Sequence, residues 1–165
     1  MSIDATVGGV AANSYALRSE ADTYFANHPS FDTWDAILDA DQEALMIHAT
    51  RLLDQLDYVG DRATTTQALE WPRIDNDTYD IVWANNVIPP KLKYAEFEIA
   101  LWLQASGGVS VAAGTVSELD IGSSVKVKYA TGSSGAVVDT SVDPTGLPIQ
   151  AARFLKGLRL YSVLA

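Results

Sequence analysis

The stretch from Asp41 to Tyr58 constrains this chain more than any other. Leu45, His48, Ala49, Leu52, Leu53 and Leu56 recur at spacings of three and four, while Asp41, Gln42, Glu43, Arg51, Asp54 and Gln55 fill the opposite face. Only an α-helix gathers such a pattern into one apolar stripe, and Gly60 stands where that helix would end. A second helix is prepared by Ile88-Pro89-Pro90, since proline is favoured just inside a helix start. It carries Leu92, Ala95, Ile99, Leu101, Trp102 and Leu103 and stops at Ser106-Gly107-Gly108. The expected fold is mainly α: a small helical bundle with a long ordered connection and a C-terminal arm.

Residues 1–13 are small and polar, with Gly8-Gly9, and read as a flexible N-terminal arm. The helical body then spans 14–106. Its first helix is signalled by Ser19 as N-cap and by Glu20 and Asp22 in the first turn, and it ends at Asn27-His28-Pro29. Phe31 and Trp34 open a second short piece, Asp32 to Asp39. The connection from Asp61 to Pro89 exceeds the usual loop length, and such segments need a reason to be ordered. Trp71, Tyr79 and Trp83 supply one as aromatic anchors, with a short helix expected around Thr66 to Leu69. Trp71 precedes Pro72 and is driven toward extended geometry. Trp34, Trp71, Pro72 and Arg73 are therefore read as structural anchors.

The texture changes in the C-terminal extension, 107–165. Glu118-Leu119-Asp120-Ile121 and Val125-Lys126-Val127-Lys128 alternate with period two, which predicts a hairpin near 117–129. A three-residue loop, Gly122-Ser123-Ser124, pairs Ile121 with Val125, Asp120 with Lys126, Leu119 with Val127 and Glu118 with Lys128. Every apolar residue then meets an apolar one and every acid a base. A two-residue loop would set Leu119 against Lys126. Residues 130–146 read as linker, followed by an amphipathic helix over 147–160. Its stripe is Ala151, Phe154, Leu155, Leu158 and Tyr161, with Arg153, Lys156 and Arg159 beside it. Such a helix can pack on its own body or lie on a partner. The candidate partner-binding residues are Arg153, Phe154, Lys156, Leu158, Arg159 and Tyr161.

Charge narrows the functional classes. The net charge is −10, and residues 1–90 hold four Lys/Arg against fifteen Asp/Glu, a net of −11. The remainder holds seven against six, a net of +1. Binding to a phosphate backbone rests on a basic footprint, so the acidic half argues against a general nucleic-acid binder. With no cysteine, disulfides and cysteine-based metal sites are excluded. No signal peptide is read at the N-terminus, and no apolar run approaches the ~20 residues that cross a bilayer. A soluble protein, intracellular or assembled inside a cell, is expected.

Candidate chemistry is sparse. Asp75 to Asp80 opens like a calcium loop, but Asp80 stands where glycine belongs and Asn86 where the closing glutamate belongs. His28 and His48 are each alone, and His48 is read as a satisfied, half-buried helix residue. No nucleophile elbow, metalloprotease pair, phosphate loop or dinucleotide fingerprint is present. No enzymatic activity, metal or cofactor is expected. Trp71 and Trp83 could stack bases in a single-strand binder, yet acids surround them. Core or interface anchoring is the favoured role for both. The basic terminal helix is the one place where nucleic acid or an acidic protein surface could dock.

The ordered motifs resemble a family. Ser14-Tyr15-Ala16, Glu20-Ala21-Asp22-Thr23-Tyr24-Phe25, Trp34, and Ala44-Leu45 through Ala49-Thr50-Arg51-Leu52-Leu53-Asp54 form the first half. Gly60, Gln67-Ala68-Leu69-Glu70-Trp71-Pro72-Arg73, Ile88-Pro89, Ala95-Glu96 to Ala100, and Val116 to Ala130 follow. Their order and spacing resemble the head–tail connector (adaptor) proteins of tailed bacteriophages, some of which are labelled DnaT-like single-stranded-DNA-binding proteins. The resemblance implies a structural virion protein of the neck, assembled in the host cytoplasm, that forms a ring of typically twelve copies beneath the portal. The ring would extend the DNA channel, pass genomic DNA without reading its sequence, and offer a platform to the next neck or tail protein. It also implies a C-terminal extension reaching onto the portal protein, with no membrane involved. The alternative is a single-stranded-DNA-binding protein.

Overall fold

Two long helices form the centre because each has an apolar face too wide to leave in water. They are α3 (Asp39–Leu53) and α4 (Pro90–Ala105), packed along their lengths. The computed structural model describes residues 2–76, 82–105, 118–121, 125–128 and 146–159. Around the central pair lie α1 (Arg18–Phe25), α2 (Phe31–Asp35) and α5 (Ile149–Phe154). Among the described residues two short antiparallel pairs also form: β1 (Asp61–Arg62) with β2 (Arg73–Ile74), and β3 (Glu118–Ile121) with β4 (Val125–Lys128). The protein is mainly α with a small hairpin. One apolar cluster runs from Tyr15 and Phe25 through Trp34, Met46, Leu53 and Trp71 to Leu92, Phe97, Leu103, Leu155 and Leu158.

The β3–β4 register pairs Glu118 with Lys128, Leu119 with Val127, Asp120 with Lys126 and Ile121 with Val125. This is the pairing that charge and apolar matching predict. In α3 the expected stripe is rotated. Gln42, Met46, Ile47, Ala49, Thr50 and Leu53 are buried, while Leu45 and Leu52 only flank the core. Leu56 flanks it too, but lies beyond the helix end at Leu53 and not within the helix expected to Tyr58. His48 is exposed rather than half-buried. The polar members explain the rotation: the Gln42 amide donates to the Trp34 carbonyl at 2.9 Å, and the Thr50 hydroxyl donates to Glu96 at 3.0 Å. A polarity pattern alone cannot foresee side chains that enter a core because a partner waits there.

Helix α1 starts two residues earlier than Ser19 as N-cap suggests, with Leu17 as its cap. Glu20 turns back to accept the Leu17 N–H at 2.9 Å, which supplies half of a capping box, since leucine has no acceptor to return. The N-terminal stretch, read as a flexible arm, carries defined bonds. Asn13 N–H donates to the Asp4 carbonyl at 2.9 Å, and Asp4 N–H donates to the Asn13 side chain at 2.8 Å.

The connection after α3 is ordered by polar side chains, not by the expected helix at Thr66–Leu69, which is absent. Gln67 is buried and donates to the carbonyls of Leu69 (2.8 Å) and Pro72 (3.0 Å), while accepting the Thr64 N–H at 2.9 Å. A helix there would have to break all three contacts. Asn76 performs the same service further on, bonding Arg73 O and both backbone groups of Trp83. Tyr79, the third expected anchor, lies outside the described residues, as do most of the calcium-like cluster and nearly all of the linker.

Gly60 closes the turn into β1 with φ +78°. A Cβ there would stand 2.1 Å from the Ile74 carbonyl oxygen and 2.7 Å from Asp75 backbone. Backbone would have to yield, on top of the left-handed strain. Gly60→Ala is expected to cost on the order of 1–3 kcal/mol in a urea titration. An unchanged midpoint would show that the turn relaxes freely.

Candidate functional site

The terminal segment is where structure and expectation differ most. α5 ends at Phe154, and the chain then turns through Leu155 to Leu158, with Gly157 at φ +85°. Arg159 forms an antiparallel bridge with Tyr58, and the Val59 N–H donates to the Leu158 carbonyl at 3.1 Å. The helix expected over 147–160 is therefore six residues long, because Gly157 permits a left-handed turn that redirects the strand-like end onto the body.

The expected partner stripe divides accordingly. Leu147, Ala151, Leu155 and Leu158 are buried in the common core. Leu158, proposed from the sequence as a partner contact, is a core residue of its own chain. Phe154 is partly buried and meets the ring of Tyr94 edge-on, with centroids 5.6 Å apart. Arg153 and Lys156 point to solvent, and Arg159 is half-buried. Tyr161 lies outside the described residues.

The Tyr94–Phe154 contact joins α5 to the start of α4, where Lys91, Lys93 and Tyr94 follow one another closely. Lys91 and Tyr94 are exposed, the latter at 38%. Among the described residues, this strip sets two lysines beside an exposed aromatic ring in an otherwise acidic protein. Sequence reading passed over it, although the tetrad Lys91-Leu92-Lys93-Tyr94 was a legible signal. Trp71, weighed earlier as a base platform, is only 1% exposed and cannot stack on a ligand.

Beside this strip an open groove of about 630 Å³ runs between α1 and α4. Tyr24, Tyr94, Phe97 and Ile88 give it apolar walls, and Ser19 and Thr23 line its α1 side. Tyr24 and Tyr94 stack with centroids 5.1 Å apart. Across the groove Lys93 Nζ contacts Glu20 Oε1 at 2.7 Å. Burial disfavours the Glu20 anion, but the Lys93 bond and charge and the Leu17 N–H outweigh it, holding that carboxyl below its usual range. Burial raises the Tyr24 phenol, reinforced by its 2.6 Å hydrogen bond to Glu98, so it stays a neutral donor. His28 completes the row: Nδ1 accepts the Ser30 N–H at 3.2 Å, and Nε2 faces Glu98 at 3.4 Å. The groove can hold a planar apolar group and offer it hydroxyls and one screened cation.

The four anchors fare differently from the partner stripe. Trp34 is buried, stacks on Phe25 at 4.7 Å, and donates its indole N–H to Asp22 at 2.9 Å. Trp71 meets Tyr58 edge-on at 5.9 Å, and the bond from Trp71 to Pro72 is cis. Arg73 is the hub of the connection. Its guanidinium donates to the carbonyls of Val59 (3.0 Å), Glu70 (3.3 Å), Tyr58 (3.4 Å) and Gly60, and pairs with the Glu70 carboxylate at 2.7 Å. These are structural contacts, and none leaves a functional group facing solvent. Among the described residues no three His, Cys, Asp or Glu side chains gather as metal ligands, and no helix is long and apolar enough to cross a membrane.

A family model described as "Putative DnaT-like ssDNA binding protein" matches residues 1–153. No curated protein and no solved structure matches the chain.

Proposed function

This chain belongs to the family that description names, and on that premise we propose that it is a non-enzymatic structural subunit of a phage neck, a head–tail connector adaptor. The observation that carries this reading is the distribution of charge. Residues 1–90 hold a net −11, and Trp34 and Trp71 are spent on the core. An acidic body repels the DNA that passes it, which suits a channel wall and not a general binder. The ordered motifs running from Ser14 to Ala130 support the same reading by their resemblance to connectors.

Ring assembly needs a heterologous contact that closes by rotation. Leu17 and Leu38 are 50% and 73% exposed, each immediately before a helix. Arg18, one residue on from Leu17, pairs with Asp39, one residue on from Leu38, at 3.3 Å. The two exposed leucines thus belong to neighbouring helix starts, a fitting place for a neighbouring copy. The portal would be met by the exposed members of the terminal stripe, Arg153 and Lys156.

A second reading, single-stranded-DNA binding, is favoured by the family description itself, which names that ligand and says nothing of a connector. Its place would be the Lys91–Lys93–Tyr94 strip with Arg153 and Lys156, since cations beside an exposed ring suit a stacked base and its phosphate.

One set of measurements separates the two. Electron microscopy of the protein mixed with portal rings is expected to show a stacked ring, and its absence would remove the connector reading. Titration with a fluorescent oligonucleotide at low salt is expected to show negligible affinity. Binding that weakens with salt, and drops about tenfold in a Lys91→Glu/Lys156→Glu double variant, would instead establish the second reading.

A further inference from the structure

Glu96 sits mid-way along α4 with no exposed surface, and its carboxyl is held by hydroxyls. Its Oε1 lies 2.5 Å from Ser14 Oγ and 3.0 Å from Thr50 Oγ1. Oε2 is buried with no hydrogen-bond partner among the described residues. The carboxyl thus joins three elements: the segment before α1, α3 and α4.

The hydrogens around Ser14 decide its state. Ser14 Oγ is also 2.7 Å from the Ala16 carbonyl, and it accepts the Ala16 N–H at 3.3 Å. A hydroxyl has one hydrogen to give, whereas Ala16 O and a carboxylate would both demand it. One of two short oxygen–oxygen contacts would then lack a proton, inside a core where an unsatisfied charge is most costly. If Oε1 itself carries a proton, the count closes. Glu96 donates to Ser14 Oγ, Ser14 donates to Ala16 O, and Thr50 donates to the remaining lone pair of Oε1. Oε2 is then a neutral carbonyl oxygen, which tolerates burial far better than half an anion.

We infer that Glu96 is a proton-operated clasp: held as a neutral carboxylic acid in the folded chain, it pins residues 14–16 to α3 and α4, and its ionisation unlatches them. The groups facing it are Ser14 and the backbone of Tyr15 from the N-terminal segment, Thr50 from α3, and Lys93 one turn earlier on α4. Burial outweighs all four, each of which favours the anion, and pushes the carboxyl up to about 8 from 4.5. The sign follows. Between about 4.5 and about 8 the folded chain holds a proton that the unfolded chain has released, so stability falls as pH rises through that window. This inference stands apart from either reading of function.

Two measurements test it in the full chain. In the wild-type protein, the ¹³C shift of the Glu96 carboxyl at pH 6 is expected to be that of a protonated acid. The shift of an ionised carboxylate at that pH would overturn the clasp, whether or not any variant folds. In parallel, Glu96→Gln keeps a donor and an acceptor but cannot ionise. The wild-type folding constant, divided by that of Glu96→Gln, is expected to fall by up to about tenfold per pH unit between pH 5 and 8. A ratio that stays constant across that range would overturn the proposal.

Discussion

Trp71→Ala is expected to lower folding stability by ~3–5 kcal/mol, the range for truncating a large buried aromatic. The indole is 1% exposed, and Tyr58, edge-on at 5.9 Å, is itself 3% exposed. Arg73 lies 6.0 Å from the other ring of this group, that of Tyr58, and holds the carbonyls of residues 58 to 60. The cavity left by alanine would be walled by groups already committed to one another, so collapse into it is restricted. The indole nitrogen adds a second step to the series. Trp71 Nε1 is buried and bonds to nothing among the described residues. Trp71→Phe removes that stranded donor as well as some volume, so its cost is expected to be less than half that of alanine. Urea titrations of the three proteins give the order directly. A loss below about 1 kcal/mol for alanine would mean that the indole is solvated, and that it belongs to an interface instead of the core.

Legibility followed the kind of force at work. Period and charge matching are local, so α4 and the β3–β4 register could be read from the residues themselves. Trp71, read as an anchor from its place before Pro72, is 1% exposed. What stayed hidden was polar burial. Nothing in the spacing of Gln42, Thr50, Gln67, Arg73 or Glu96 announces that each is buried, since the partners are backbone carbonyls or side chains up to 82 residues away. The rotated face of α3 and the missing helix at Thr66–Leu69 are both consequences of such bonds. The candidate strip at Lys91–Tyr94 was hidden differently. Its composition was visible, but only the fold shows that Tyr94 meets Phe154 of the terminal segment.

Leu155→Ala is expected to cost ~2–5 kcal/mol, while Arg153→Glu and Lys156→Glu each change stability by less than about 0.5 kcal/mol. Leu155 has no exposed surface and shares the core with Leu147, Ala151 and Leu158, whereas Arg153 and Lys156 project into solvent. The contrast matters for function because the sequence left open whether the terminal segment packs on its own body or lies on a partner. A chain whose last described residues complete its own core cannot surrender them to a partner without exposing Tyr58 and the α4 face. Removing residues 147–165 would therefore unfold part of the body, and any loss of portal attachment would say nothing of the interface. The surface substitutions keep the core intact and alter only charge. Thermal or urea unfolding of the three variants, followed by portal binding of the two charge variants, separates folding from docking. If Leu155→Ala were to cost under about 1 kcal/mol, the segment would be only loosely held, and a docking arm would again be the better description.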